Sequence, residues 1–328
     1  MFFRMIIRLR TEPFFLRGKP DMTTTNATIS KQPDGSGGRD FVVSGNSSGD
    51  EVFSVIVLLY NNDEFIRENL DSILNQDYPA IEIIVVDDGS KEFDKSWIES
   101  YIRENRRDNI RNFIVYQNEC NFGTVKSANG AIRKASGRYI KLLAGDDALF
   151  DFESLSHAAA ALRVCPCGII TGNVMKCDKD LNPTGPYYKS LVPALNRLSP
   201  IDVFRRLCIH NDIVAGGVFF DVAFFKRYGM FDESYRLLED WPTWMTATQK
   251  GCRIFYSSFF AIRYRMHNGI GTSTNPVYLA DRKHLFLHMI VPARKQIGPI
   301  CLLLATISFL IINSLLVRKI YGFLFRKN

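Results

Sequence analysis

The chain has 328 residues, 46% hydrophobic and 23% charged, a balance that excludes disordered and fibrous classes and leaves length for one large domain or two small ones. Its formal charge of +7 is modest, and the basic residues gather toward the two ends instead of along one recognition helix, which argues against nucleic acid and for phosphate or membrane-surface contacts. Seven cysteines at irregular spacing offer neither a disulfide framework nor the Cys-x-x-Cys pairs of a zinc site, and read as thiols of a reducing compartment.

Residues 1–50 are expected to form a disordered leader. The apolar stretch at Met1 to Arg8 is too short for a signal core or a span, and residues 22–50 are Ser-, Thr-, Asn- and Gly-rich, with Met22 as an alternative start. Folding is expected to begin near Glu51. The β-branched run 53–59 is of strand length, and Asn61, Asn62 and Asp63 can cap a helix whose apolar positions Phe65, Ile66, Leu70, Ile73 and Leu74 recur at helical spacing. A strand at 81–86, a helix near 97–103, a strand at 113–116, a helix at 125–135 and a strand at 139–143 continue the alternation. Such near-continuous apolar strands between helices predict an α/β fold, a mostly parallel Rossmann-like sheet flanked by helices.

Beyond Asp147 the pattern loosens: a helix near 154–163, a strand near 168–173, a Pro- and Gly-containing loop at 182–200 and a helix at 200–208. Residues 290–328 contain an uncharged run at 297–317, flanked by Arg294-Lys295 and Arg318-Lys319 and interrupted by Pro299 and Asn313. At about 1.5 Å per residue this apolar helical segment is long enough to cross a bilayer, or it lies in the membrane plane.

Two predicted strands end in adjacent aspartates, Asp87-Asp88 and Asp146-Asp147. In a parallel sheet both pairs would face the crevice beyond the carboxyl ends of the strands. Adjacent like charges there call for a cation or a dense set of donors, so a divalent metal and a polar ligand are the natural candidates. Turn formation with Gly89 and helix capping are the structural alternatives for the two pairs.

The ordered set Leu58-Leu59-Tyr60-Asn61, Val86-Asp87-Asp88-Gly89-Ser90, Asn121-Phe122-Gly123, Gly137-Arg138-Tyr139 and Gly145-Asp146-Asp147 resembles the donor half of the family 2 glycosyltransferases. The resemblance extends through Leu238-Glu239-Asp240-Trp241 to about Ser273. It implies the A-type glycosyltransferase fold, with a nucleotide-sugar donor half at 51–150 and an acceptor-binding, catalytic half at 151–285.

On the same resemblance, Tyr60, Asn61, Asp87, Asp88, Asn121 and Gly123 would bind the nucleoside, with Lys126 toward the diphosphate and Gly216-Gly217 beneath the sugar. Asp146, Asp147 and His267 would hold Mg2+ or Mn2+, although Ala144 stands where the common motif has its first aspartate. Asp240 would be the general base of an inverting transfer, with Glu239 beside it. Plainer alternatives are an acidic helix start for Glu239-Asp240, a tight turn for Gly216-Gly217, and a solvated Lys126. The implied function is transfer from a nucleotide-diphosphate sugar, expected to be a UDP-sugar, to a glycan or lipid-linked acceptor in cell-surface polysaccharide synthesis, at the cytoplasmic face of a membrane. The competing readings are a membrane-tethered scaffold without turnover and a sugar-phosphate nucleotidyltransferase. The latter lacks its Gly-rich phosphate loop after the first strand, where Tyr60-Asn61-Asn62-Asp63 stands.

Overall fold

The computed structural model describes residues 51–187, 191–266 and 275–313, so the predicted leader and His267 lie outside the described residues. The strands are β1 (Phe53–Leu59), β2 (Ile81–Asp87), β3 (Ile110–Gln117), β4 (Tyr139–Ala144), β5 (Ala148–Leu149), β6 (Ile169–Cys177), β7 (Pro183–Pro186), β8 (Val218–Asp221) and β9 (Phe255–Arg265). The helices are α1 (Ile66–Leu74), α2 (Lys95–Asn105), α3 (Thr124–Lys134), α4 (Ser154–Arg163), α5 (Pro200–Ile209), α6 (Val222–Tyr228), α7 (Asp240–Gln249), α8 (Pro276–Leu285) and α9 (Arg294–Asn313).

All the strands join one sheet in the order β3-β2-β1-β4-β8-β6-β9-β5, with β7 paired to β6. The two predicted halves therefore share a sheet through the pairing of β4 with β8. Strands β1, β2, β3 and β4 are mutually parallel, and β1 and β2 are buried along nearly their whole length, as their largely apolar sequences require; the buried exceptions Ser54 and Glu82 satisfy each other, Ser54 Oγ donating to the Glu82 carboxylate at 2.6 Å.

Side-chain alternation sends Val55 and Val57 to one layer and Ile56 to the other. Val55 and Val57 share one layer with Leu70 and Ile73 of α1, Ile98 of α2 and Leu155 of α4. Ile56 meets Val125 and Ala128 of α3, in a layer that also holds Phe204 of α5 and Trp244 of α7. Each fully buried aliphatic or aromatic side chain contributes about 1.5–3 kcal/mol, so the two layers fix the sheet between them.

The sheet departs from the parallel expectation in its second half. β8 runs antiparallel to both β4 and β6, and β5 runs antiparallel to β9, while β6 and β9 are parallel. The reason is local: β4 runs toward its acidic end, whereas β8 starts from the turn Ala215–Gly217, which lies against Asp147, and runs away from it. The predicted helix cap at Asn61 to Asp63 is also replaced. Asn62 Oδ1 accepts from the Tyr60 N–H at 3.0 Å, and a 3-10 turn, Asp63–Phe65, precedes α1. The stretch predicted as loop at 182–200 contains β7 and a 3-10 turn, Val192–Arg197.

Glu51 closes the start of the fold as expected. Its carboxylate meets Arg138 and accepts from Tyr139 Oη at 2.8 Å, and its carbonyl accepts from Tyr78 Oη at 2.5 Å. At the other end, α9 is broken at Gly298 (φ 78°, ψ 168°), a left-handed conformation that glycine tolerates, and Pro299 opens the helix anew.

Candidate active site

The strand register brings the expected residues to one edge. Leu59 pairs with Asp87, Asp87 with Gln117, and Leu58 with Ala144, so Tyr60-Asn61, Asp88, Asn118 and Gly145-Asp146 all leave the sheet together. Asn61 adopts φ 50°, and its N–H donates to Ser90 Oγ at 2.8 Å, which ties the first strand end to the second.

The first acidic pair is held by donors of the protein itself. Asp87 accepts from the Ser90 N–H (2.7 Å), Ser90 Oγ (2.5 Å) and Gln117 Nε2 (2.9 Å). Asp88 accepts from the Phe122 N–H (2.9 Å), the Gly123 N–H (2.8 Å), Ser127 Oγ (2.7 Å) and Asn118 Nδ2 (3.0 Å). Asp88 thus folds residues 118–123 over the strand end and pins them to the first turn of α3. Each carboxylate keeps one oxygen with a single bond, Asp87 Oδ1 and Asp88 Oδ2, and so retains acceptor capacity toward the crevice.

That loop docks on the segment before α7. Arg236 Nη2 donates to both the carbonyl and Oδ1 of Asn121, each at 2.7 Å, and the Val125 N–H donates to the Arg236 carbonyl at 3.2 Å. Gly123 (φ 91°) is required for this approach: a Cβ there would lie 2.4 Å from Arg236 Cγ and 2.6 Å from its carbonyl oxygen. Gly123→Ala is expected to cost about 1–3 kcal/mol of stability from backbone strain and overlap, read by urea denaturation. An unchanged midpoint would rule out the contact. Lys126 is exposed on the first turn of α3.

The second acidic pair is built differently. Asn69 of α1 donates from Nδ2 to the Ala144 carbonyl (2.9 Å) and the Asp147 carbonyl (2.8 Å), bracing the turn from below. Asp146 is half-buried, whereas Asp147 is buried with its Oδ1 accepting the Arg265 N–H at 2.9 Å, and Arg265 Nε donates to the Asp146 carbonyl at 2.7 Å. Lys141 is fully buried on β4, donates to the carbonyls of Gly216 and Val218, and lies 4.3 Å from the Phe219 ring centroid. Burial, reinforced by the Asp146 charge, holds the Asp147 carboxyl well above the usual range, and burial pushes Lys141 down to about 7.

Gly216 lies over this acid: a Cβ added to it would sit 3.8 Å from Asp147 Oδ2 and 2.3 Å from Ile262 Cδ1. Gly217 packs on β6, where a Cβ would sit 3.1 Å from the Gly172 carbonyl. Their small size thus already serves packing. Among the described residues no cluster of three His, Cys, Asp or Glu side chains gathers, so of these Asp146 and Asp147 are the ones that would hold a metal. That donor set fits magnesium or manganese, which take one or two carboxylates and fill the remaining positions with substrate oxygens and water. The crowded, partly buried pair is a place where a cation relieves repulsion.

The third acidic pair opens α7. Asp281 of α8, itself buried, accepts the N–H groups of Arg236 (3.0 Å), Leu237 (2.6 Å) and Leu238 (3.2 Å), fixing the segment that delivers Glu239 and Asp240. Asp240 accepts from the Trp241 N–H at 2.6 Å and from Asn211 Nδ2 at 2.7 Å. Burial, joined by the Asp240 charge, pushes Glu239 up to about 8. Burial also pushes Asp240 up to about 6, held back by its bonds from Trp241 and Asn211. Near neutral pH the pair therefore carries about one negative charge between them.

The structure places the predicted Asp87, Asp88, Asn121, Gly123, Asp146, Asp147, Gly216 and Gly217 around one crevice edge, and it adds residues that sequence reasoning missed. Lys141 could have been found as the only cation within the apolar run Tyr139-Ile140-Lys141-Leu142-Leu143. Asn69, Asn211, Arg236, Arg265 and Asp281 carry no local signal, since each acts on a partner remote in sequence.

The sequence profile described as Glycosyl transferase family 2 matches residues 54–229. An Escherichia coli protein, the UDP-Glc:alpha-D-GlcNAc-diphosphoundecaprenol beta-1,3-glucosyltransferase WfaP, is 26% identical over 264 residues, covering 80% of this chain and 95% of its own length. The Staphylococcus aureus TarS fragment 1–349 in complex with UDP-GlcNAc superimposes with a TM-score of 0.58 at 22% identity, covering 84% of this chain and 76% of that one. GalNAc-T7 with UDP, GalNAc and Mn2+ superimposes with a TM-score of 0.53 at 12% identity, covering 84% of this chain and 58% of that one.

Proposed function

Because this chain belongs to glycosyl transferase family 2, we propose that it is an inverting, metal-dependent transferase that moves a sugar from a UDP-sugar to a lipid-linked glycan acceptor at the cytoplasmic face of a membrane. The observation that carries this reading is Asp240, a carboxylate tuned to about 6 by burial and steered by Asn211 at the start of α7. A base of that pKa is ionised at neutral pH yet basic enough to take a proton as the acceptor hydroxyl attacks.

The acceptor oxygen forms its bond to the anomeric carbon from the face opposite the diphosphate, the bond from that carbon to the diphosphate oxygen breaks, and the hydroxyl proton passes to Asp240. Glu239, protonated beside it, keeps the pair from carrying two charges. The nucleoside lies along residues 118–123 and Tyr60-Asn61, with Asp87 Oδ1 and Asp88 Oδ2 as acceptors for base or ribose donors. Asp146, with Asp147 behind it, would hold a divalent ion, which when bound supplies charge neutralisation to the leaving diphosphate.

Two relatives support the donor and acceptor classes: TarS is solved with UDP-GlcNAc, and WfaP is named for a UDP-glucose donor and a diphosphoundecaprenol-linked acceptor. The metal reading is supported by the crowding of Asp146 and Asp147 and by the Mn2+ in GalNAc-T7. The test is release of nucleoside diphosphate from a panel of UDP-, GDP- and dTDP-sugars, with manganese, magnesium or EDTA and a diphosphoprenyl-linked sugar. Release from a UDP-sugar that requires both metal and acceptor is expected. Turnover only with another nucleotide, or undiminished in EDTA, would overturn the donor or the metal assignment.

A further inference from the structure

We propose that α9 is an in-plane membrane helix, docked on the catalytic body along one stripe and inserted along the other into the headgroup boundary of an anionic bilayer. One stripe of the helix is turned inward. Ile297 and Ala305 are buried, Cys301 Sγ meets the Arg205 carbonyl at 3.3 Å, and Phe309 stacks on Phe286 with ring centroids 4.3 Å apart. Cys301, Ala305 and Phe309 recur every four residues and so form a single line down the helix, while Ile297 is buried just before the break at Gly298.

The opposite stripe is apolar and uncovered. Ile300 is 73% exposed, Leu303 54% and Leu310 51%, and Leu287, before the helix, is 47% exposed. Residues 299–311 contain only Thr306 and Ser308 as polar side chains, and Thr306 Oγ1 turns back to the Leu302 carbonyl at 2.8 Å. A helix packed on a body facing water on its other side carries polar residues there, whereas one apolar all round lies in an apolar medium.

The docking decides between spanning and lying flat. The inward stripe follows α5, whose Arg205 donates from Nη2 to the Gln296 carbonyl at 3.3 Å and pairs with Asp202 at 3.1 Å. A transverse α9 would carry those charges into hydrocarbon, where each is costly. Lying flat, the outer stripe reaches the acyl boundary and the body stays in water.

Charge selects the bilayer over a second copy of the chain. Residues 282–328 contain eight Lys and Arg and no Asp or Glu, while the whole chain is only +7, so the positive charge is concentrated on this segment. Two copies joined through α9 would bring the exposed Arg294 and Lys295 of each together. An anionic leaflet attracts them. The inference deepens the lipid-linked acceptor reading, because α9 follows the helix whose Asp281 sets the Glu239-Asp240 segment.

The test is flotation of the full chain with phosphatidylcholine vesicles, with and without phosphatidylglycerol. Binding that needs the anionic lipid and weakens with salt is expected, and the Leu303→Glu/Leu310→Glu variant should bind at least about tenfold more weakly. A Leu303→Trp variant should be quenched most by lipids brominated near the headgroup. Strongest quenching by bromines at the chain ends would make α9 a span, and concentration-dependent dimers without vesicle binding would give the face to a second copy; either overturns the proposal. Flotation without sugar turnover would leave this inference standing and remove the transferase reading, and turnover without flotation would do the reverse.

Discussion

Asp240→Asn is expected to lower kcat by about 10²–10⁴-fold, the usual contribution of a positioned general base, with donor KM little changed. The amide keeps the size of the side chain and its bond from Trp241 but takes no proton. In the unaltered protein kcat should rise with pH through about 6, as Asp240 ionises.

Stability should respond with the opposite sign. Both carboxyls sit above their unfolded values of about 3.9 and 4.3, so the native state retains protons that the unfolded chain has already released. Their stabilising contribution is full below about pH 4 and is lost as pH climbs to about 8. Asp240→Asn, which removes the repulsion, should therefore gain in Tm relative to the parent at pH 8 and lose that advantage at pH 5. A pH–rate profile and two melting curves check both halves, and a kcat within tenfold of the parent would sink the base assignment.

Asp88→Ala is expected to destabilise the protein by at least about 3 kcal/mol and to weaken UDP binding by more than tenfold. The substitution strands the part-buried N–H of Phe122 and the buried N–H of Gly123 together with Ser127 Oγ and Asn118 Nδ2. Each unsatisfied group costs about 1–3 kcal/mol before the loop relaxes. Urea denaturation and calorimetric titration with UDP measure the two effects. Intact stability with lost binding would mean that the carboxylate acts on the nucleoside alone and does not build the loop.

The donor half was legible because β1 and β2 are buried on both faces, so Val55 to Leu59 and Ile83 to Val86 carry unbroken apolar runs ending in polar residues. Strand β9 escaped notice because it is half-exposed and mixes Ser257, Ser258, Arg263 and Arg265 among its aromatics. β8 is only four residues long. Strand direction was illegible for a simpler reason: alternation of apolar residues is the same read forward or backward, so nothing local distinguishes an antiparallel β8.

The acidic pairs were visible as site residues, but their differing chemical states were not. Asp88 is held by donors 30 to 39 residues away, burial raises Glu239, and the difference arises only in three dimensions. Asp281 is the extreme case, an acid between Ala280 and Arg282 whose purpose lies in backbone amides 43 to 45 residues earlier.

The clasp on residues 236–238 also sets a timetable. One side comes from Asn121, 115 residues before Arg236, and the other from Asp281, 45 residues after it. A nascent chain can assemble the parallel strands of its first half while the rest is still being made. The segment carrying Asp240, the proposed base, gains its second anchor only once α8 has been synthesised and has folded back. On that proposal, the nucleotide crevice of the first half would form before the catalytic segment is fixed.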